Sequence, residues 1–139
     1  MIKKLAIAAT AMIGFGGIAH ADEVWTSNLG RVVYEDDVDG YAVLSMTTRD
    51  KGEVRIYIAG LGLNYDQRGG LFTGYWISET RGDNSCTTSI TAADGRTSDH
   101  WGQVHIDFDT DGFPTGFNGL VGECTNVPSE RWIAEPVLG

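Results

Sequence analysis

Apolar residues recur at every second position along this chain, in short runs separated by turn-forming pairs. In Trp101–Asp109, Val104, Ile106 and Phe108 fall on one side and Gln103, His105, Asp107 and Asp109 on the other. Successive side chains of a β-strand point to opposite faces, so such a run is a strand with one buried face. Glu53–Ile58 repeats the pattern through Val54, Ile56 and Ile58. Further runs of this kind are Val24–Ser27, Arg31–Glu35, Tyr41–Thr47, Leu71–Glu79, Cys86–Thr91, Gly116–Cys124 and Trp132–Ala134. Asp39-Gly40, Asp50-Lys51-Gly52, Arg81-Gly82-Asp83-Asn84, Asp94-Gly95 and Asp111-Gly112 lie between them and supply turn chemistry. Beyond the N-terminal segment no stretch sustains helical periodicity over three turns, although Ser129, behind Pro128, predicts one short turn of helix. The expectation is an all-β fold, a small antiparallel β-barrel or β-sandwich of seven to nine short strands. Short hairpins between consecutive runs favour the barrel.

Residues 1–21 read differently. Met-Ile-Lys-Lys leads into an apolar run from Leu5 to Ile18 and then Ala19-His20-Ala21. A basic start, a short apolar stretch and an Ala-x-Ala end predict a secretory signal peptide cleaved after Ala21. The run is about 14 residues, against roughly 20 for a membrane span. The expected destination is the periplasm or the medium, with 22–139 as a single β domain and no stable membrane insertion.

Cleavage removes Lys3 and Lys4 and no acid, so the net charge moves from −9 to −11 on 118 residues. Strong negative charge argues against DNA, RNA or anionic lipid as general partners and favours cationic ones. Both cysteines, Cys86 and Cys124, lie in the exported part. Two cysteines in an oxidising compartment predict one disulfide. Closing this loop would contribute roughly 3–4 kcal/mol in the chain-entropy picture.

Asp107-Phe108-Asp109-Thr110-Asp111-Gly112 matches the first half of a calcium loop, in which alternate oxygens converge on a hard cation. Asn118 stands where that loop needs a bidentate Glu, and the preceding segment reads as a strand. The plainer reading is an acidic strand end running into an Asp-Gly turn; the alternative is a weak calcium site using Asp107, Asp109 and Asp111. His105, Asp107 and Asp109 also share one strand face, as a metal site or an acid–base pair would require. Their opposite face is apolar, so solvent exposure accounts for them equally well. No Gly-x-Ser-x-Gly elbow, phosphate loop or dinucleotide fingerprint is present. Arg81-Gly82-Asp83 spells the integrin-recognition tripeptide, but these residues belong in any turn.

Trp25, Tyr75, Trp76, Trp101 and Trp132 are spread over four predicted strands. They are candidates for a ligand cup or for core packing. Adjacent Tyr75 and Trp76 must face opposite sides of their strand. Trp25-Thr26-Ser27-Asn28-Leu29-Gly30 resembles the opening of the first strand in the avidins, which are eight-stranded biotin-binding barrels. The resemblance covers these six residues and implies barrel architecture. Ser27 stands where that family has a biotin-contacting Asn, and Arg31 where it has a biotin-contacting Ser.

Three functions follow as expectations. The first is an exported acidic binding protein, recognising without catalysis a small ligand or a cationic protein such as a basic hydrolase. The second is a calcium-binding β module; the third is an enzyme using His105 with Asp107 and Asp109. No cofactor is required beyond that weak calcium.

Overall fold

A computed structural model describes residues 23–79 and 85–138. The expected signal peptide at 1–21 and the Arg81-Gly82-Asp83 tripeptide lie outside the described residues. Ten strands follow in chain order: β1 Val24–Ser27, β2 Val32–Val38, β3 Tyr41–Thr48, β4 Gly52–Ile58, β5 Leu71–Ser78, β6 Ile90–Thr91, β7 Thr97–Ser98, β8 His100–Phe108, β9 Phe117–Val121 and β10 Glu130–Pro136. Eight of them close into an antiparallel barrel in the order β1-β10-β9-β8-β5-β4-β3-β2. Closure decides between the two expected architectures: β1 pairs with β2 on one side and with β10 on the other.

Turn chemistry sets the hairpins. Asp39 and Gly40 join β2 to β3 with φ of 52° and 83°. Two positive φ values suit a two-residue turn whose twist matches the flanking strands, which is why Asp-Gly stands there. β2 carries a bulge between Tyr34 and Asp36, which bends the strand around the ring.

The alternation read from the sequence resolves into inside and outside. Val104, Ile106 and Phe108 point into the barrel, as do Val54, Ile56 and Ile58, and they join one large apolar cluster with Trp25, Tyr34, Trp76, Phe117 and Trp132. A second cluster lies on the outer surface: Val43, Tyr57, Ile77 and Trp101, with Ala92 packed on them from the β5–β8 connection. That connection carries the two-stranded β6-β7 hairpin. It is fastened to the barrel by the Trp101 indole N–H donating to Thr88 O at 2.8 Å and by the Tyr57 hydroxyl at 3.0 Å from both Asp94 oxygens. The expected Cys86–Cys124 disulfide is formed and ties the connection to the β9–β10 loop.

Two local expectations are corrected. Only Ile90–Thr91 of the predicted strand Cys86–Thr91 is extended, and it lies outside the ring, because Cys86 bonds through its amide to Asp99 O and serves as an anchor. Ser129 starts no helix. Its amide donates to Val121 O, and β10 begins at Glu130, so pairing with β9 overrides the local capping signal.

Candidate functional site: a cup at one end of the barrel

The two ends of the barrel are built differently. The loops at 28–31, 49–51 and 122–129 and the start of the long β5–β8 connection gather at one end, the mouth. The connections at 59–70 and 109–116 gather at the other, the floor.

The floor is sealed by Arg68, which is fully buried. Its two terminal nitrogens donate to the Glu23 carboxylate at 2.8 and 2.6 Å, and its Nε donates to Tyr65 O at 2.7 Å. The guanidinium lies 4.5 Å from the Tyr65 ring centroid, 5.0 Å from Phe108 and 5.3 Å from Phe113. Its backbone amide donates to Asp111 O at 2.7 Å, joining the two floor connections. A buried charge needs a partner and satisfied protons, and this one has both. Above it, edge-on contacts link Trp25, Phe117 and Trp132, with centroids 5.6 and 4.7 Å apart.

The mouth half holds a cavity of about 720 Å³. Met46 of β3, Val54 and Ile56 of β4, Trp76 of β5, Val104 of β8, Val121 of β9 and Trp132 of β10 wall it. An eight-stranded barrel is just wide enough to be filled by side chains or to hold one small ligand, and this chain does each in one half. The volume falls within the usual range for ligand pockets. Gly102 keeps the wall open beside Trp76, since a Cβ there would stand 2.5 Å from the indole Nε1 and 2.0 Å from Gly122 O.

The indoles, Ser27 and Asn28 at the cavity wall have protein hydrogen-bond partners. Trp76 Nε1 donates to Gly122 O at 2.8 Å, and Trp132 Nε1 donates to Ser27 Oγ at 3.1 Å. Ser27 Oγ also donates to Gly30 O and accepts from the amides of Leu29 and Gly30. Asn28 donates through Nδ2 to Arg131 O and accepts through Oδ1 from the Ile133 amide. At the lip, Lys51 Nζ stands 3.2 Å from Asp50 and 3.3 Å from Glu123, and 5.4 Å from the centre of the Trp76 ring. Burial works to lower the Lys51 pKa, but the Asp50 and Glu123 carboxylates outweigh it and hold the ammonium above its ordinary value. Asp50 is held below the carboxylate norm; its desolvation acts the other way, and the hydrogen bond from Lys51 prevails.

The five candidate aromatics are divided. Trp76 and Trp132 wall the cup. Trp25 points inward at the floor end, its indole donating to Thr115 O at 2.8 Å. Tyr75 and Trp101 face outward under the β5–β8 connection, so one shared cluster does not form. His105 and Asp107 face outward onto a shallow trough beside Leu71, Leu120 and Ile133. Asp109 accepts from Asn118 Nδ2 at 3.1 Å, and Asp111 packs beside Gly69 at the floor. Among the described residues, no three His, Cys, Asp or Glu side chains are placed to hold one metal ion. Arg68, Lys51 and the aliphatic wall were not singled out by sequence reasoning. Only the inward alternation of Val54, Ile56 and Val104 pointed toward the wall.

No family model matches this chain, and no curated protein or solved structure matches it. At the positions of the avidin resemblance, the Ser27 hydroxyl is engaged within its own turn, and Arg31 lies outside the cavity lining.

Proposed function

We propose that this chain is an exported, non-catalytic binding protein that holds a small ligand in the mouth of its barrel. The observation that supports the reading is the 720 Å³ cavity, open at the mouth above a floor closed by Arg68 and the aromatic stack. Its wall brings together two indoles and five aliphatic or thioether side chains, a surface suited to burying an apolar ligand body.

Titration with a neutral fluorophore such as N-phenyl-1-naphthylamine tests this reading. The expected result is saturable one-to-one binding with energy transfer from tryptophan, weakened when Val104→Phe narrows the cavity. Non-saturating uptake, or uptake unchanged by Val104→Phe, would overturn it.

Recognition of a cationic protein partner is a second reading. It is favoured by the acid excess and by Glu35, Asp36 and Asp37, which are exposed side by side at the end of β2. Charge-led association of that kind weakens steeply with salt. Binding to a basic hydrolase that is unchanged between low and high salt counts against it.

A further inference from the structure

Building on the cup reading, we infer that the ligand is a single-headed amphiphile, inserted apolar end first, with its one polar group at the lip. The inference rests on where hydrogen-bonding capacity remains. Inside the cup, both indole N–H groups and the Ser27 hydroxyl already have protein partners. The remaining wall, formed by Met46, Val54, Ile56, Val104 and Val121, carries no hydrogen-bonding side chain apart from a thioether. A hydroxyl, amide or charge carried to this depth leaves water and gains nothing in exchange.

The floor offers no second exit for a polar group. Arg68, with Glu23, Tyr65 and the rings around it, fills that end of the barrel. A ligand with polar groups at both ends must therefore bury one of them. At the lip the chemistry changes: Arg49 and Glu130 are exposed cavity-lining residues of opposite charge. Among the described residues neither stands within ion-pair distance of an opposite charge, in contrast to Lys51 with its two carboxylates. This end accepts a polar head of either sign, while the depth of the cup accepts only hydrocarbon or aromatic surface. Sugars, nucleotides and peptides, polar along their whole length, are excluded on the same ground.

Competition for the bound neutral fluorophore by ten-carbon compounds of matched length tests the inference. 1-Decanol is expected to displace the probe at a concentration lower by about tenfold or more than 1,10-decanediol, because the diol must bury a hydroxyl without a partner. 10-Bromo-1-decanol is expected to quench tryptophan emission beyond the effect of decanol, since its bromine would lie among Trp76 and Trp132. Equal displacement by decanol and diol, or no added quenching by the brominated alcohol, overturns the inference while leaving the cup reading intact. Probe binding that neither alcohol displaces also overturns it. Failure of the fluorophore itself to bind is a different result, and removes the cup reading first.

Discussion

The floor and the mouth of this barrel are made by the same eight strands, yet one is packed solid around a buried charge and the other stands open. At the floor, the inward positions carry Trp25, Tyr34, Phe108 and Phe117, and the connections add Tyr65 and Arg68. At the mouth they carry Met46, Val54, Val104 and Val121, with Gly102 among them. Both halves are ringed by the same eight strands, and the difference lies in what fills them. Trp76 and Trp132 wall the cup too, with smaller aliphatic side chains completing the wall around the space left for a ligand.

Breaking the floor produces the largest expected effect. Arg68→Met leaves the Glu23 carboxylate buried without its cation, and urea unfolding should show a loss of roughly 3–5 kcal/mol. Adding Glu23→Gln should restore much of that loss. A single-variant cost below about 1 kcal/mol would mean that the ion pair does not hold the floor.

On the mouth side, the Cys86–Cys124 bridge is the covalent counterpart, pinning the β9–β10 lip to the β5–β8 connection. Replacing both cysteines with serine should cost roughly 3–4 kcal/mol in the same assay, from the length of the loop it closes.

Matched enlargements sharpen the contrast further. Ala42→Leu inserts volume into filled core and should destabilise by about 1–3 kcal/mol. Val54→Phe enlarges a side chain that borders the open cup and should cost less than about 1 kcal/mol while weakening probe binding. Similar costs at the two positions would show that the halves are packed alike.

Alkaline pH provides the smallest and most selective perturbation. Burial, and then the Asp37 and Glu23 carboxylates, push the Tyr34 and Tyr65 hydroxyls well above their ordinary value. A folded-state pKa above the unfolded value near 10 gives stability that is complete below that pH and is lost as pH rises beyond it. Melting temperature should therefore fall above about pH 10, and Tyr34→Phe with Tyr65→Phe should flatten that decline. An unchanged decline in the double variant would place the alkaline sensitivity away from the floor.

The barrel was legible because alternation and Asp-Gly turns are local signals, each carried by a few neighbouring residues. β8 reads correctly in Val104, Ile106 and Phe108 for that reason. The site was only partly legible. Trp76 and Trp132 stand out by residue type, but their shared cavity depends on which end of the barrel each strand reaches. Tyr75 and Trp101 have the same chemical appearance and serve instead to seat the β5–β8 connection. Arg68 follows Gln67 and precedes two glycines, a sequence that reads as a loop. Nothing near it in the chain announces Glu23, 45 residues earlier, as its partner. Strand ends and helix caps failed where tertiary pairing decided the outcome, as at Ser129.

Joining β1 to β10 has a consequence for how this chain meets other chains. An open sheet ends in a row of unused amides and carbonyls, along which a foreign strand can extend the ladder. The eight-stranded ring leaves little of such a row, since every strand has a neighbour on both sides, with β1 pairing β2 at Val32 and Val33. Another protein must therefore meet the barrel through side chains and loops, where specificity can be written residue by residue. The closed ring is thus poorly suited to backbone templating and to the fibrous self-association that follows from it, and free edges belong to the short β6-β7 sheet outside it.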